Sequence, residues 1–404
     1  MRNVHGARET GVVSKGMVRH RLIAGLTVSI LAVGCGGSST VVRTETTPRK
    51  AVIDPALVRS LQRTLDQQRE FFGLPGAAAA VVVPRAGTWA GGSGLADRAG
   101  GTKVTPGTSF AIASLTKMFI GVLAARLAAD GRLRLDDPLR RWLPGWPHAD
   151  RITLRRLLNQ TSGVSQFGAR LSDPLNRAID RRPRRLWSPQ RVLGYAGRPE
   201  GVPGRRWEYN NANYVLAGLA IERATGSTAA RELRARVLRP LGLTDAALQP
   251  QERAAAPAAH GYEAARSGGL RDLSDGTGLQ PYRSAASAAW TAGGMVASAP
   301  AVARFADAAL RGPLLTPAGR RDLLRFVAAD NRAYVRYGLG IGEAFSNRMA
   351  APVWAVFGAT AGFGATLLHD PVRHITVVVL ANRDESTGLT AQMADLLLEQ
   401  VARR

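Results

Sequence analysis

The chain has 404 residues, 45% of them hydrophobic, which is enough for a large core, and its single cysteine excludes an internal disulfide. It carries 54 basic against 30 acidic residues, a formal charge of +24, and only Lys15, Lys50, Lys103 and Lys117 are lysines, so the surplus is arginine. Such a balance draws phosphate and anionic surfaces, but the arginines are dispersed and no basic helix or aromatic nucleic-acid motif accompanies them, so no nucleic-acid partner is expected.

Arg19, His20 and Arg21 precede an apolar run over residues 22–33, followed by Gly34, Cys35 and Gly36. A charged start, a short apolar stretch and a small residue before the cut describe a secretory signal, and the run is too short to span a bilayer comfortably. With cysteine directly after Gly34, the segment resembles a bacterial lipoprotein signal. That implies removal of residues 1–34, acylation of Cys35 and an extracytoplasmic chain anchored at the cell membrane by its lipid. Met17 is an alternative start, because the residues before it add nothing to the signal. Residues 35–50 read as a flexible tether, leaving 51–404 as the folded domain.

Residues 56–72 have helical periodicity, with Leu57, Leu61 and Leu65 on one face. Pro75-Gly76 stops that helix. Residues 77–83 read as a buried strand and 88–95 as a second, joined through the turn chemistry of 84–87. Residues 112–130 read as an apolar helix ended by Gly131, and 214–224 and 229–238 as two more. Strand character returns at 338–343, 364–368 and 375–380, before a closing amphipathic helix over 389–401. Strands at both ends with helices between predict an α+β fold. One antiparallel sheet is completed by both termini and flanked by helices, with a mainly helical subdomain inserted.

The sharpest local feature is Ser114-Leu115-Thr116-Lys117 at the start of the apolar helix. Positions i and i+3 share a helix face, so the lysine amine can sit beside the serine hydroxyl. Serine needs a base, a desolvated lysine can supply one, and a helix N-terminus offers free N–H groups to an oxyanion. The plainer alternative is a capping serine with a solvated lysine. Apolar flanks and the scarcity of lysine weigh against it.

Here the surroundings resemble a known family. Thr108-Ser109-Phe110-Ala111-Ile112-Ala113-Ser114-Leu115-Thr116-Lys117 looks like the nucleophile segment of serine β-lactamase-related hydrolases, which include D,D-carboxypeptidases, class C β-lactamases and family VIII carboxylesterases. The likeness continues through Gly131-Arg132-Leu133-Arg134-Leu135-Asp136-Asp137-Pro138, Thr161-Ser162-Gly163, Tyr209-Asn210-Asn211, Pro240-Leu241-Gly242-Leu243 and Ala292-Gly293-Gly294-Met295. It covers roughly residues 55 to 400 as an ordered set of motifs. It implies the β-lactamase and penicillin-binding-protein fold, with Ser114 as nucleophile, Lys117 and Tyr209 handling its proton, and Asn211 holding the lysine and the substrate amide. It implies a tyrosine whose pKa is lowered by a nearby ammonium. The alternative for Tyr209 is a core tyrosine packed with Trp207 and Tyr214.

The third family motif is altered. Where the family carries Lys-Thr-Gly or His-x-Gly, this chain has Val356-Phe357-Gly358, without a cation. That loss argues against tight recognition of a substrate carboxylate, while Gly358 and the N–H of Ala359 remain available for the oxyanion hole. His148, His260, His369 and His374 are scattered, with no metal-ligand spacing, and His369-Asp370-Pro371 reads as a turn. The segment 165–200 is expected on the cleft rim. Its Arg181, Arg182, Arg184, Arg185 and Trp187 either select an acidic or bulky acyl group or form a solvated loop with a packing tryptophan.

The sequence therefore predicts a serine hydrolase acting through an acyl-enzyme on small ester or amide substrates at the cell envelope, with no metal and no cofactor. The rivals are a D,D-carboxypeptidase or β-lactamase acting on peptidoglycan-like or β-lactam substrates, and a non-catalytic envelope-binding lipoprotein.

Overall fold

The computed structural model describes residues 53–166, 173–197, 201–253, 255 and 257–404. The signal segment 1–34, Cys35 and the tether 35–50 lie outside the described residues, as do 167–172 and 198–200 of the rim segment.

The sheet grows from a hairpin, β1 (Gly76–Val83) and β2 (Gly87–Asp97), with β3 (Thr102–Lys103) at its edge. Its other strands come late in the chain: β4 (Val327–Ala328), β5 (Arg336–Tyr337), β6 (Gly342–Ser346), β7 (Ala351–Thr360), β8 (Phe363–His369) and β9 (Thr376–Ala381). Among the described residues they form a nine-stranded sheet in the order β3-β2-β1-β9-β8-β7-β6-β5-β4. All its pairings are antiparallel, and Ala77 of β1 stands opposite Ala381 of β9.

Strand periodicity sends alternate side chains of β1 into two cores. Ala77, Ala79 and Val81 meet the terminal helices α1 (Pro55–Phe71) and α5 (Thr387–Ala402) through Leu57, Leu61, Leu65, Leu397 and Leu398. Ala78, Ala80 and Val82 face the larger core of the helical middle. Both faces of β1 are covered, which is why its sequence is a continuous apolar run rather than an alternating one.

Three helices of the middle position the site: α2 (Thr116–Ala129), α3 (Asn211–Thr225) and α4 (Arg283–Gly293). α2 is buried on nearly all sides, as its apolar circumference requires. α3 starts three residues before the expected 214, because the Asn210 side chain accepts from Ala212 N–H and caps it earlier. No helix among the described residues is long and apolar enough to cross a membrane.

The expected strand 338–343 is corrected by the structure: its strand begins only at Gly342. Gly338 N–H donates to the carbonyl of Ile341, and Gly340 takes φ +88 with a Cβ position 2.3 Å from the Lys117 carbonyl oxygen. The apolar run is a turn seated on α2, where no side chain would fit at Gly340.

Candidate active site

Residues Phe110–Ala111 pair with Met295–Ala297, and the chain then passes through a short 3-10 turn, Ala113–Leu115, directly into α2. Ala113 is buried at φ +46, a strained position for a residue with a Cβ. Its neighbours hold it there. Thr116 Oγ1 donates to the Ala113 carbonyl at 2.6 Å and accepts from Met295 N–H at 3.1 Å. The turn leaves Ser114 partly exposed, while Lys117 is fully buried. β7 runs beside it. A Cβ on Gly358 would lie 2.7 Å from the Ile112 carbonyl oxygen and 3.2 Å from Ser114 N, so glycine lets the strand come this near.

Lys117 Nζ lies 3.0 Å from Ser114 Oγ, 2.9 Å from Asn211 Oδ1 and 2.6 Å from the Ala292 carbonyl oxygen. As an ammonium it donates to all three. As a neutral amine it keeps two hydrogens on the fixed carbonyl oxygens, and its lone pair turns to Ser114. Burial lowers the Lys117 pKa to about 7, so the amine form is well populated at neutral pH. The Tyr209 and Tyr214 rings stand 4.9 and 5.4 Å from Nζ and stabilise the protonated form through their faces.

Tyr209 departs from the expectation. It is half-buried, and burial pushes its pKa up to about 12, with a hydrogen bond to Ser114 drawing it partly back. The ammonium expected to lower it is only partly charged near neutral pH, because burial also lowers Lys117 to about 7. Tyr209 is therefore a neutral phenol at rest.

Gln160, which sequence reasoning passed over, brackets Tyr209 on both sides. Its carbonyl accepts from Glu208 N–H at 2.9 Å, and its Oε1 accepts from Asn210 N–H at 3.0 Å and from Asn213 Nδ2 at 2.6 Å. Gln160 takes φ +67 to do so. The neighbouring Ser162 Oγ donates to Asn213 Oδ1 at 2.5 Å, so the Thr-Ser-Gly stretch anchors the start of α3. Its only sequence signal was the motif beside it.

The third-motif strand carries no cation. Val356 is buried in the core, and Phe357 joins Trp207, Tyr209, Tyr334 and Tyr337 in an aromatic wall, with its ring 5.5 Å from that of Tyr334. Phe357 N–H donates to the Tyr334 hydroxyl at 3.1 Å, on the edge of β7 away from β8. Ala359 lies two residues on along an extended strand, so its N–H projects to that same edge.

Trp187 is buried and packs as core, its Nε1 donating to Ser284 Oγ at 2.7 Å, while Arg181, Arg182 and Arg184 are exposed. Arg185 stacks over the Trp187 ring at 4.5 Å. His369 is buried at the end of β8, opposite Thr376 of β9, so the expected turn starts only at Asp370, whose Oδ1 accepts from Val372 and Arg373 N–H. His260, isolated in sequence, meets Asp272 at 2.8 Å and Asp97 at 3.8 Å. Both carboxylates also cap local turns, at Ala99 N–H and Ser274 N–H, which gives this cluster a structural role.

The profile of the beta-lactamase family matches residues 61–402, a span that includes Ser114, Lys117, Tyr209, Asn211 and Gly358. The chain belongs to the beta-lactamase family. Among its relatives, esterase EstB of Burkholderia gladioli is 35% identical over 209 residues, 47% of this chain and 51% of that one. The chain thus spans about half the length of that esterase. An Escherichia coli K12 protein provisionally named a D-alanyl-D-alanine carboxypeptidase is 26% identical over 89% of this chain and 91% of its own. The crystal structure of D-amino acid amidase from Ochrobactrum anthropi SV3, complexed with L-phenylalanine amide, superposes with a TM-score of 0.73 at 27% identity, covering 86% of this chain and 99% of that one. These relatives place the family within a serine-hydrolase superfamily of esterases, carboxypeptidases and amidases. The α+β fold with an antiparallel sheet and flanking helices is that of the superfamily.

Proposed function

We propose that this chain is a serine hydrolase that cleaves small esters or amides through an acyl-enzyme on Ser114. The observation that carries the reading is the buried Lys117 amine, 3.0 Å from Ser114 Oγ and tethered by Asn211 and Ala292. Lys117 takes the hydroxyl proton as Ser114 Oγ bonds to the carbonyl carbon, and the oxyanion accepts from the N–H groups of Ser114 and Ala359. The Tyr209 phenol protonates the departing alcohol or amine, and the Lys117 ammonium restores that proton. Water then attacks the acyl-enzyme, with the same groups acting in reverse.

The aromatic wall at the third motif favours an uncharged substrate over one bearing a carboxylate, and the similarity to an esterase and an amidase supports the same choice. Ser114→Ala is expected to abolish turnover of a short p-nitrophenyl ester with the fold retained; unchanged turnover would discard the assignment. Incubation with a fluorophosphonate is expected to add mass at Ser114, and absence of any adduct would favour a binding protein instead. Rapid covalent labelling by a penicillin would favour a carboxypeptidase or β-lactamase. The same reading includes acylation of Cys35 and an extracytoplasmic, membrane-held location, supported by the signal-like segment before it. Labelled palmitate should enter the wild type and not Cys35→Ser, and equal labelling of both would end that part of the proposal.

A further inference from the structure

A second concave site lies beside the tyrosine loop. It is a cavity of about 460 Å3, and its lining includes five arginines, Arg155, Arg156, Arg205, Arg206 and Arg325, against one carboxylate, Asp136. Ser114, Lys117 and Asn211 take no part in it.

Two of the guanidiniums are fixed in place. Arg155 donates from Nε and Nη2 to both oxygens of Asp136, and from Nη1 to Asp322 at 2.9 Å. Arg156 donates to the Arg151 carbonyl at 2.5 Å, and its guanidinium lies flat beneath Gly204, where a Cβ would fall 3.0 to 3.1 Å from Nη2, Cζ and Nε. Gly204 sits at φ +88, and its N–H donates to the Thr161 carbonyl at 2.7 Å. The loop is therefore pressed onto one arginine while it presents two more.

The remaining three are different. Among the described residues, Arg205, Arg206 and Arg325 make no ion pair and no side-chain hydrogen bond. Trp207 also lines the cavity, and its indole N–H is buried without an acceptor. Some arginines elsewhere are paired with carboxylates, as at Arg234–Glu252 and Arg336–Glu343. Here Arg205, Arg206 and Arg325 stand around a hollow without a direct carboxylate partner, and the one lining carboxylate, Asp136, is already held by Arg155. A group of guanidiniums around a hollow suits one kind of ligand, an oxyanion with several acceptor oxygens and more than one negative charge.

We propose that this cavity binds a phosphate group. A carboxylate would satisfy one fork, whereas a phosphate offers oxygens enough for Arg205, Arg206 and Arg325 together, and the volume leaves room for an organic substituent. The phosphate comes either from a free phosphate ester or from a lipid headgroup.

The test compares wild type, the double variant Arg206→Ala/Arg325→Ala and the control Arg59→Ala, all at exposed positions. Inorganic phosphate is titrated at low ionic strength with thermal unfolding as readout. In parallel, the proteins are sedimented with phosphatidylglycerol–phosphatidylcholine vesicles and with pure phosphatidylcholine vesicles. A phosphate-dependent rise in Tm in wild type and control, weakened about tenfold or more in affinity in the double variant, supports the site and a free phosphate ester. No response to inorganic phosphate, with phosphatidylglycerol-dependent sedimentation lost only in the double variant, supports the site and a headgroup. Equal behaviour of all three proteins in both arms, or no binding in either, overturns the proposal.

Discussion

Lys117 Nζ and the carbonyl oxygen of Ala292 lie 2.6 Å apart, joining the nucleophile helix α2 to the last turn of α4. With Asn211 Oδ1 at 2.9 Å, that carbonyl fixes where the amine hydrogens point and so aims the lone pair at Ser114. The proton chemistry of the site depends on this aim.

A first prediction concerns pH. The Lys117 pKa is lowered to about 7, and the base must be unprotonated, so kcat/KM for a neutral ester should fall about tenfold per pH unit below that value. Above it the profile should be level, because Tyr209 holds its proton up to about 12. A profile flat from pH 5.5 to 8 would remove Lys117 from the role of base.

The second prediction is thermodynamic. An amine held near 7 in the fold, against an ordinary 10.5, binds fewer protons folded than unfolded between those values. Wild-type stability should therefore rise with pH across that window through this group. Lys117→Met removes the dependence, at about 1–3 kcal/mol for each carbonyl oxygen left unpaired at Asn211 and Ala292. The Tm of the variant relative to wild type should be highest near pH 7 and decline towards pH 10, with no esterase activity at any pH. A Tm difference constant across that range would contradict the buried, discharged lysine.

Why some of this was legible in the sequence and some not follows from distance along the chain. Ser114 and Lys117 are one helical turn apart, so their meeting is local, and Asn211 followed from a motif of the family. Gln160 was hidden, because its contacts with Glu208, Asn210 and Asn213 depend on two segments brought together by the packing of the helical middle. The run 338–343 misled for a related reason: its apolar residues serve α2 through a glycine turn, not a ladder. The direction of the Tyr209 shift was also out of reach, since it turns on how completely both Tyr209 and Lys117 are desolvated.

Gln160 supplies the third prediction. Gln160→Ala deprives Asn210 N–H and Asn213 Nδ2 of their acceptor, which should cost about 1–3 kcal/mol of stability. Because the clamp is buried and sets the Tyr209 loop, kcat should drop at least about tenfold while KM moves little. A loss confined to KM would count against a positioning role.

The fourth concerns Gly358. Its alanine variant places a methyl group 2.7 Å from the Ile112 carbonyl oxygen, and backbone on both sides must part to admit it. Gly358→Ala should lower kcat by about 100-fold, the scale of a lost oxyanion donor, with a lower Tm. Retention of near-wild-type kcat would show that the strand can retreat without disturbing Ser114.

The pairing of Ala77 with Ala381 has a consequence for biosynthesis. When the ribosome has finished the first hairpin, the partner that will cover the open side of β1 is not yet made, and will not be until the last strand emerges. A nascent chain therefore carries an apolar, unpaired strand edge through nearly the whole of its synthesis, the kind of surface that invites mispairing. Such long-range closure makes folding slow and dependent on chain completion, so loss of even the final strand and helix should leave aggregates rather than a weakened enzyme.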